Sequence, residues 1–241
     1  MPTDSVRIGA DTQECAAQCA AFVLDTLADT LRSQPRATFG LSGGESPRLL
    51  FAQLAKANLD WSKVHFFWVD ERCVPPDDKQ SNFKLANETL LLPAKIPHPN
   101  IHRVHGELTP EEAAVGYLKE IQSFFSLAEH AIPSFDLLHR GMGPDAHTAS
   151  LFPGEELIGN RTGITAPVWV GKLKSHRVTL LPKVLEAARH TVLLVAGADK
   201  ADALYNVLKG PEDEFQFPCQ IGTRNSSAAV WFVDRAAASK L

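Results

Sequence analysis

The sequence predicts an α/β fold: a doubly wound, mostly parallel sheet with helices on both faces. Three observations predict it. Short apolar runs alternate along the chain with longer segments whose apolar residues recur at helical spacing. Runs such as VHFFWV at 64–69 and TVLLVA at 191–196 are apolar at consecutive positions, as strands buried on both faces require. Polar clusters then stand just past the strand ends, the place where open α/β sheets bind ligands.

In chain order, Val6 to Gly9 reads as a short edge strand. Asp11 or Thr12 caps a helix carrying Ala16, Ala20, Val23, Leu24, Leu27 and Leu31 on one face. Ala37 to Leu41 is a strand that ends in Ser42-Gly43-Gly44-Glu45-Ser46-Pro47, and a helix follows through Leu49, Leu50, Leu54 and Ala55. Ser46 suits its N-cap and Pro47 its first turn. Glycines there let the backbone approach a ligand while the helix's first amides point outward, so the loop is either an anion cradle or a plain turn. Glu45 opposes an anion unless it faces solvent.

Val64 to Val69 is a buried strand, followed by a charged loop, Asp70-Glu71-Arg72. That loop is either salt-bridged to itself or presents an arginine fork, the group best shaped for phosphate or carboxylate oxygens. Ser81 and Asn82 cap a helix to about Leu91, and Thr109 with Pro110 starts another to about Leu127. His98, His102 and His105 lie between them. Pro97 and Pro99 keep this stretch off a helix, and no acidic or cysteine partner is read nearby, so no metal is expected.

The most chemically dense stretch is FDLLHRGMGPDAHTASLFPG, 135–154. A strand-like run breaks at Gly141-Met142-Gly143-Pro144, and Asp145 and His147 follow, two positions apart. A histidine, with a reference pKa of about 6.5, serves as a base near neutral pH. Beyond it come a strand at Thr165 to Val170, a basic cluster (Lys172, Lys174, His176, Arg177) leading into Val178-Thr179-Leu180, and a helix over Pro182 to His190. Thr191 to Ala196 is a strand, Lys200 stands in the first turn of a helix to about Leu208, and Val230 to Val233 precedes a terminal helix fragment. The basic cluster is a solvated face unless one or two of its cations, Arg177 above all because it abuts the apolar run, complete an anion site. Lys200 at a helix N-terminus is unfavourable by the dipole rule, which suggests that it meets an anion.

The composition sets bounds. No linker divides the 241 residues, so 1–241 reads as one domain; 44% hydrophobic and 22% charged residues are those of an ordinary globule. A net charge of −4 without a basic block argues against nucleic acid and anionic membranes as partners. The start, MPTDSVRIGADTQ, lacks a signal layout and no run reaches the length of a membrane span, so the cytoplasm is expected. Cys15, Cys19, Cys73 and Cys219 form no disulfide or zinc pattern and read as reduced structural thiols.

The segments LSGGESPR, WVDERCVPPDDKQSN, FDLLHRGMGPDAHTASLFPG, RVTLLP and VAGADKADAL, spread in this order over most of the chain, resemble those of the 6-phosphogluconolactonase family. The resemblance implies a Rossmann-like domain that hydrolyses the sugar-phosphate lactone 6-phosphogluconolactone without cofactor or metal; a monomer or weak dimer is expected apart from it. It implies that His147 is the general base and that Ser42, Gly43 and Gly44 with Arg72, Arg177 and Lys200 hold the phosphate. To this the residues themselves add Asp145 as orienter of His147 or of a substrate hydroxyl, and Asp70 as a hydroxyl acceptor. Arg72 or the amides of 141–143 are then left to stabilise the oxyanion.

Three departures from the family pattern stand out. Ala146 occupies a usual glycine position, so its turn is expected to avoid positive φ or to shift. His139 and Arg140 stand where the strand is typically apolar and are expected to reach solvent or an interface. Glu45 and Ser46 replace smaller or threonine residues. The nearest rival is a glucosamine-6-phosphate deaminase, but Arg72 stands where those enzymes carry an aromatic residue, and Ser150-Leu151-Phe152 where they carry Asn-Glu-Pro. A non-catalytic sugar-phosphate sensor on the same fold is the other alternative.

Overall fold

A computed structural model describes residues 5–224 and 226–241. Its centre is a six-stranded sheet in the order β1-β9-β8-β5-β2-β3, and every neighbouring pair is parallel. The strands are β1 (Val6–Gly9), β2 (Ala37–Leu41), β3 (Val64–Trp68), β5 (Leu137–Arg140), β8 (His190–Val195) and β9 (Ala229–Asp234). A second sheet is antiparallel, β4 (Asp70–Arg72), β7 (Ser175–Leu180) and β6 (Thr165–Val170) in the order β4-β7-β6.

The consecutive apolar residues of β8 have a direct physical reading. Val192 and Leu194 enter one hydrophobic cluster, which also takes in Cys15, Cys19 and Val23 of helix α1 (Thr12–Ser33). Leu193 and Val195 enter the opposite cluster, with Ala203, Leu204 and Val207 of helix α6 (Ala201–Lys209). Strand β9 splits in the same way, Phe232 to the first cluster and Trp231 and Val233 to the second. Alternate side chains thus bury on opposite faces, which is what forces a helix onto each.

The remaining helices are α2 (Glu45–Leu54), α3 (Asn82–Ala86), α4 (Pro110–Phe125) and α5 (Pro182–Glu186). Helix α3 continues as a wider π turn to Leu91, and α4 opens with a capping box between Thr109 and Glu112. Asp11 caps α1 by accepting the Glu14 amide.

Several local expectations are corrected. Asp70–Arg72 is a strand of the small sheet, not a loop; its hydrogen-bond partner β7 lies about a hundred positions away, and three residues show no periodicity. Helix α2 begins at Glu45 with Gly44 (φ 118°) at its N-cap, so Ser46 lies inside the first turn. His190 opens β8 rather than closing a helix, and turns follow β9 where a helix fragment was expected. Lys200 ends a short 3-10 turn just before α6. His102 and His105 do find acids: Glu120 Oε1 lies 2.6 Å from His102 Nδ1, and Glu107 Oε1 lies 3.2 Å from His105 Nδ1. All four cysteines are free, and only Cys73 is not fully buried. Among the described residues no helix is long and apolar enough to cross a membrane.

Candidate active site

Strand order reverses between β2 and β5, and the carboxyl ends of β2, β5 and β8 therefore flank the crevice where doubly wound sheets bind ligands. A cavity of about 410 Å³ opens there, lined by Ser42, Gly43 and Gly44 after β2, by 141–144 and His147 after β5, and by Asp199 and Lys200 after β8. The small sheet adds Asp70, Arg72 and Arg177 to its wall. All the expected site residues but Asp145 line this space, and Asp145 reaches it through His147.

The wall formed by the small sheet has a telling register. Arg72 and Arg177 stand directly opposite each other on β4 and β7. Like charges at facing positions of an antiparallel pair repel, so the arrangement is favourable when an anion sits between them. Burial pulls the Arg177 guanidinium below its ordinary range, with Asp70 opposing and Arg72 adding to the fall. The Nε atoms of both arginines and the Oγ of Ser42 are buried without a hydrogen-bond partner. Arg72 Nη1 donates to the Gln80 carbonyl, Arg177 Nη1 lies 3.8 Å from Asp70 Oδ2, and Lys200 Nζ is 3.0 Å from Asp199. Glu45 is exposed but also lines this cavity, so its carboxylate still stands against an anion beside the Gly43-Gly44 loop. A Cβ on Gly43 would lie 1.8 Å from Asn82 Oδ1, so any larger residue there must displace the Asn82 amide from its bond to the Asp70 carbonyl.

Glu71, expected as part of a salt-bridged loop, is instead buried beneath α3. It accepts from the amides of Arg72 (2.8 Å), Asn82 (2.7 Å) and Phe83 (2.6 Å). Burial pushes its carboxyl up to about 7 against those three donors. Glu71 thereby fixes the Arg72 backbone to the start of α3. Ser150, fully buried, donates to Asp70 Oδ2 at 2.7 Å and links the loop after β5 to the small sheet.

His147 Nδ1 lies 2.6 Å from Asp145 Oδ1, and Lys172 Nζ is ion-paired with the other carboxylate oxygen. Partial burial works to raise the Asp145 carboxyl, but the hydrogen bonds from His147 and Lys172 prevail and hold it well below the ordinary carboxylate range. A carboxylate on Nδ1 fixes the tautomer and leaves Nε2 as the basic nitrogen. The imidazole stacks on Phe152, ring centroids 4.1 Å apart, and Lys172 also lies over that ring. Of the basic cluster, Arg177 lines the cavity and Lys172 serves Asp145, whereas Lys174 and His176 line a different depression.

The turn itself is tight. Gly143 N donates to the His147 carbonyl, and a Cβ at Gly143 would lie 1.9 Å from His147 Nδ1. Ala146 takes φ 64° and Ala149 φ 52°, so the expectation that position 146 avoids positive φ is wrong. Each left-handed alanine costs about 1–2 kcal/mol. His139 and Arg140, expected at solvent or an interface, are fully buried. Glu71, Ser150, Asn82 and Lys172 escape sequence reasoning as site residues because their roles depend on long-range partners; of these Lys172 carried a signal, its place in the basic cluster.

A parallel sheet with a cavity of mixed charge at its switch point, Arg72, Arg177 and Lys200 among the carboxylates of Glu45, Asp70 and Asp199, and an acid-held histidine on the rim defines the class: a Rossmann-like α/β protein with a candidate ligand site at the strands' carboxyl ends. The chain belongs to the family described as "Glucosamine-6-phosphate isomerases/6-phosphogluconolactonase", whose model matches residues 10–231. It is 34% identical to a 6-phosphogluconolactonase of Nostoc sp. over 239 residues, 98% of each chain. It is 36% identical to one from Treponema pallidum over 201 residues, 82% of this chain and 83% of that one. The solved 6-phosphogluconolactonase of Thermotoga maritima superposes with a TM-score of 0.82 at 30% identity, covering 95% of this chain and 98% of that one. A monomeric glucosamine-6-phosphate deaminase gives 0.83 at 20% identity, a likeness of fold alone.

Proposed function

We propose that the protein hydrolyses 6-phospho-D-glucono-1,5-lactone to 6-phosphogluconate in the oxidative pentose phosphate pathway. In this reading residues 1–241 act as one unit, in the cytoplasm, as a monomer or weak dimer and without a cofactor. The observation that carries it is the meeting, in one cavity, of the facing Arg72–Arg177 pair and the Asp145-held His147.

Arg72, Arg177, Lys200 and the Ser42-Gly43-Gly44 loop hold the phosphate, and Asp70 accepts from a sugar hydroxyl. The lactone carbonyl then lies toward His147. Nε2 takes a proton from water as its oxygen bonds to the carbonyl carbon, and Asp145 steadies the imidazolium that results. The oxyanion is stabilised by the amides at 141–142, since Arg72 is engaged at the phosphate and the Gly143 amide is committed to the His147 carbonyl. Collapse of the tetrahedral intermediate breaks the ring C–O bond, and the proton on Nε2 passes to the departing ring oxygen. No enzyme nucleophile takes part.

The test follows freshly prepared lactone against its spontaneous opening. His147→Ala is expected to remove about 10²–10⁴-fold of the rate; an unchanged rate sinks the assignment. Ammonia release from glucosamine 6-phosphate, measured in parallel, is expected to be absent and would point to the deaminase reading if present.

A further inference from the structure

Arg140 closes β5 immediately before the turn that carries His147, and its side chain is fully buried. Burial depresses the charged form, and among the described residues no carboxylate lies within ion-pair distance of it. Nε donates to Thr148 Oγ1 at 3.2 Å, Nη1 donates to the Ile221 carbonyl at 2.7 Å, and Nη2 has no partner. A guanidinium left this bare in a core is a poor stabilising device; an apolar side chain of similar volume usually serves at least as well. Its presence calls for another reason.

The contacts form a closed circuit around the histidine. Thr148 Oγ1, which accepts from Arg140, donates to the Gly141 carbonyl at 2.9 Å and so ties the two ends of the turn together. On the other side, Cys219 N donates to the Ala146 carbonyl at 2.9 Å, and the 218–221 segment returns to Arg140 through Ile221. His147 lies inside this loop of bonds, and the residues at 146 and 149 on either side of the 147–148 pair are the alanines in left-handed conformation. Released from the circuit, those alanines would relax toward negative φ and swing His147 away from Asp145 and the cavity.

We infer that Arg140 is a positioning residue: through Thr148 and Ile221 it holds the strained 146–149 backbone that aims His147. The inference rests on the proposed role of His147 as general base, and His147→Ala in the same assay separates the two. Kinetic constants and melting temperatures of Arg140→Met, Thr148→Val, Arg140→Met/Ala146→Gly and His147→Ala decide it. Arg140→Met and Thr148→Val are each expected to lower kcat by about 10–100-fold with KM within about twofold of wild type, the cost of misaiming a reacting group. Glycine at 146 adopts positive φ freely, so the double variant is expected to recover about tenfold in kcat without any matching gain in melting temperature. A wild-type kcat in Arg140→Met, or a loss that Ala146→Gly leaves untouched, overturns the inference. Should Arg140→Met not fold, Thr148→Val breaks the same link from the other side, and an unchanged kcat there overturns it equally. Full activity in His147→Ala would remove the ground of both readings.

Discussion

His139 offers a measurement in which a single buried group reports on the whole fold. It sits in the middle strand β5, opposite Val192 of β8, with its ring edge against Phe51 at 5.9 Å, and it is fully buried. Neither ring nitrogen has a hydrogen-bond partner. Burial pushes its pKa down to about 4, from 6.5 in the unfolded chain. Between those values the unfolded chain binds a proton that the folded protein refuses, so stability is lost as pH falls from 6.5 toward 4 and is unaffected above 6.5. The gap is worth about 3 kcal/mol at about 1.4 kcal/mol per pH unit. Urea unfolding of wild type and His139→Leu at pH 7.5 and pH 4 isolates it. Other acid-sensitive groups, such as His65, which burial and its neighbours His102 and Arg36 also push down to about 4, cancel in the difference. At pH 7.5 the variant is expected to match or exceed wild type, because it removes two bare polar atoms from the core. At pH 4 its advantage is expected to grow by about 3 kcal/mol. A difference that stays constant with pH, within about 0.5 kcal/mol, would refute the reasoning.

Three further outcomes follow from the site. Gly143→Ala drives a methyl into His147 Nδ1 and is expected to lower kcat about 100-fold while circular dichroism keeps the native spectrum. If the facing pair holds the phosphate as proposed, Arg177→Met leaves Arg72 alone there and is expected to raise KM for the lactone by about 10–100-fold, as loss of a charge-assisted contact does, with a smaller effect on kcat in steady-state assays. Lys172→Met frees Asp145 Oδ2 but keeps the Asp145–His147 bond. Because Lys172 is half-exposed, its pair is worth under about 1 kcal/mol and kcat is expected to fall only about twofold to fivefold; a hundredfold loss would mean that Lys172 touches the reacting atoms.

The large sheet was legible because its signal is local. TVLLVA reads as a doubly buried strand from its own side chains, and β8 sends them alternately into two cores. The Gly-rich loop, Arg72 and the Asp145–His147 pair were legible because strand ends in such sheets converge. What escaped the sequence depends on distant partners. The three residues of β4 become a strand only when β7 pairs with them. Arg140 looked like a surface residue because its acceptors, a threonine and a backbone carbonyl, carry no opposite charge to betray burial. Ala146 defeated the rule that positive φ wants glycine, since to the bonds within its own turn, from Gly143 and Thr148, the fold adds one from distant Cys219.

Val69, between β3 and β4, belongs to both sheets: its amide donates to Leu41 of β2 and its carbonyl accepts from Leu180 of β7. The facing arginines ride on the small sheet and His147 follows a strand of the large one, so this peptide joint, together with the Ser150–Asp70 bond, sets the span between the arginine pair and the histidine. In the proposed reaction it acts as a ruler. A substrate whose phosphate stands one carbon nearer to its carbonyl would be gripped at one end and missed at the other, and discrimination by chain length would need no side chain devoted to it.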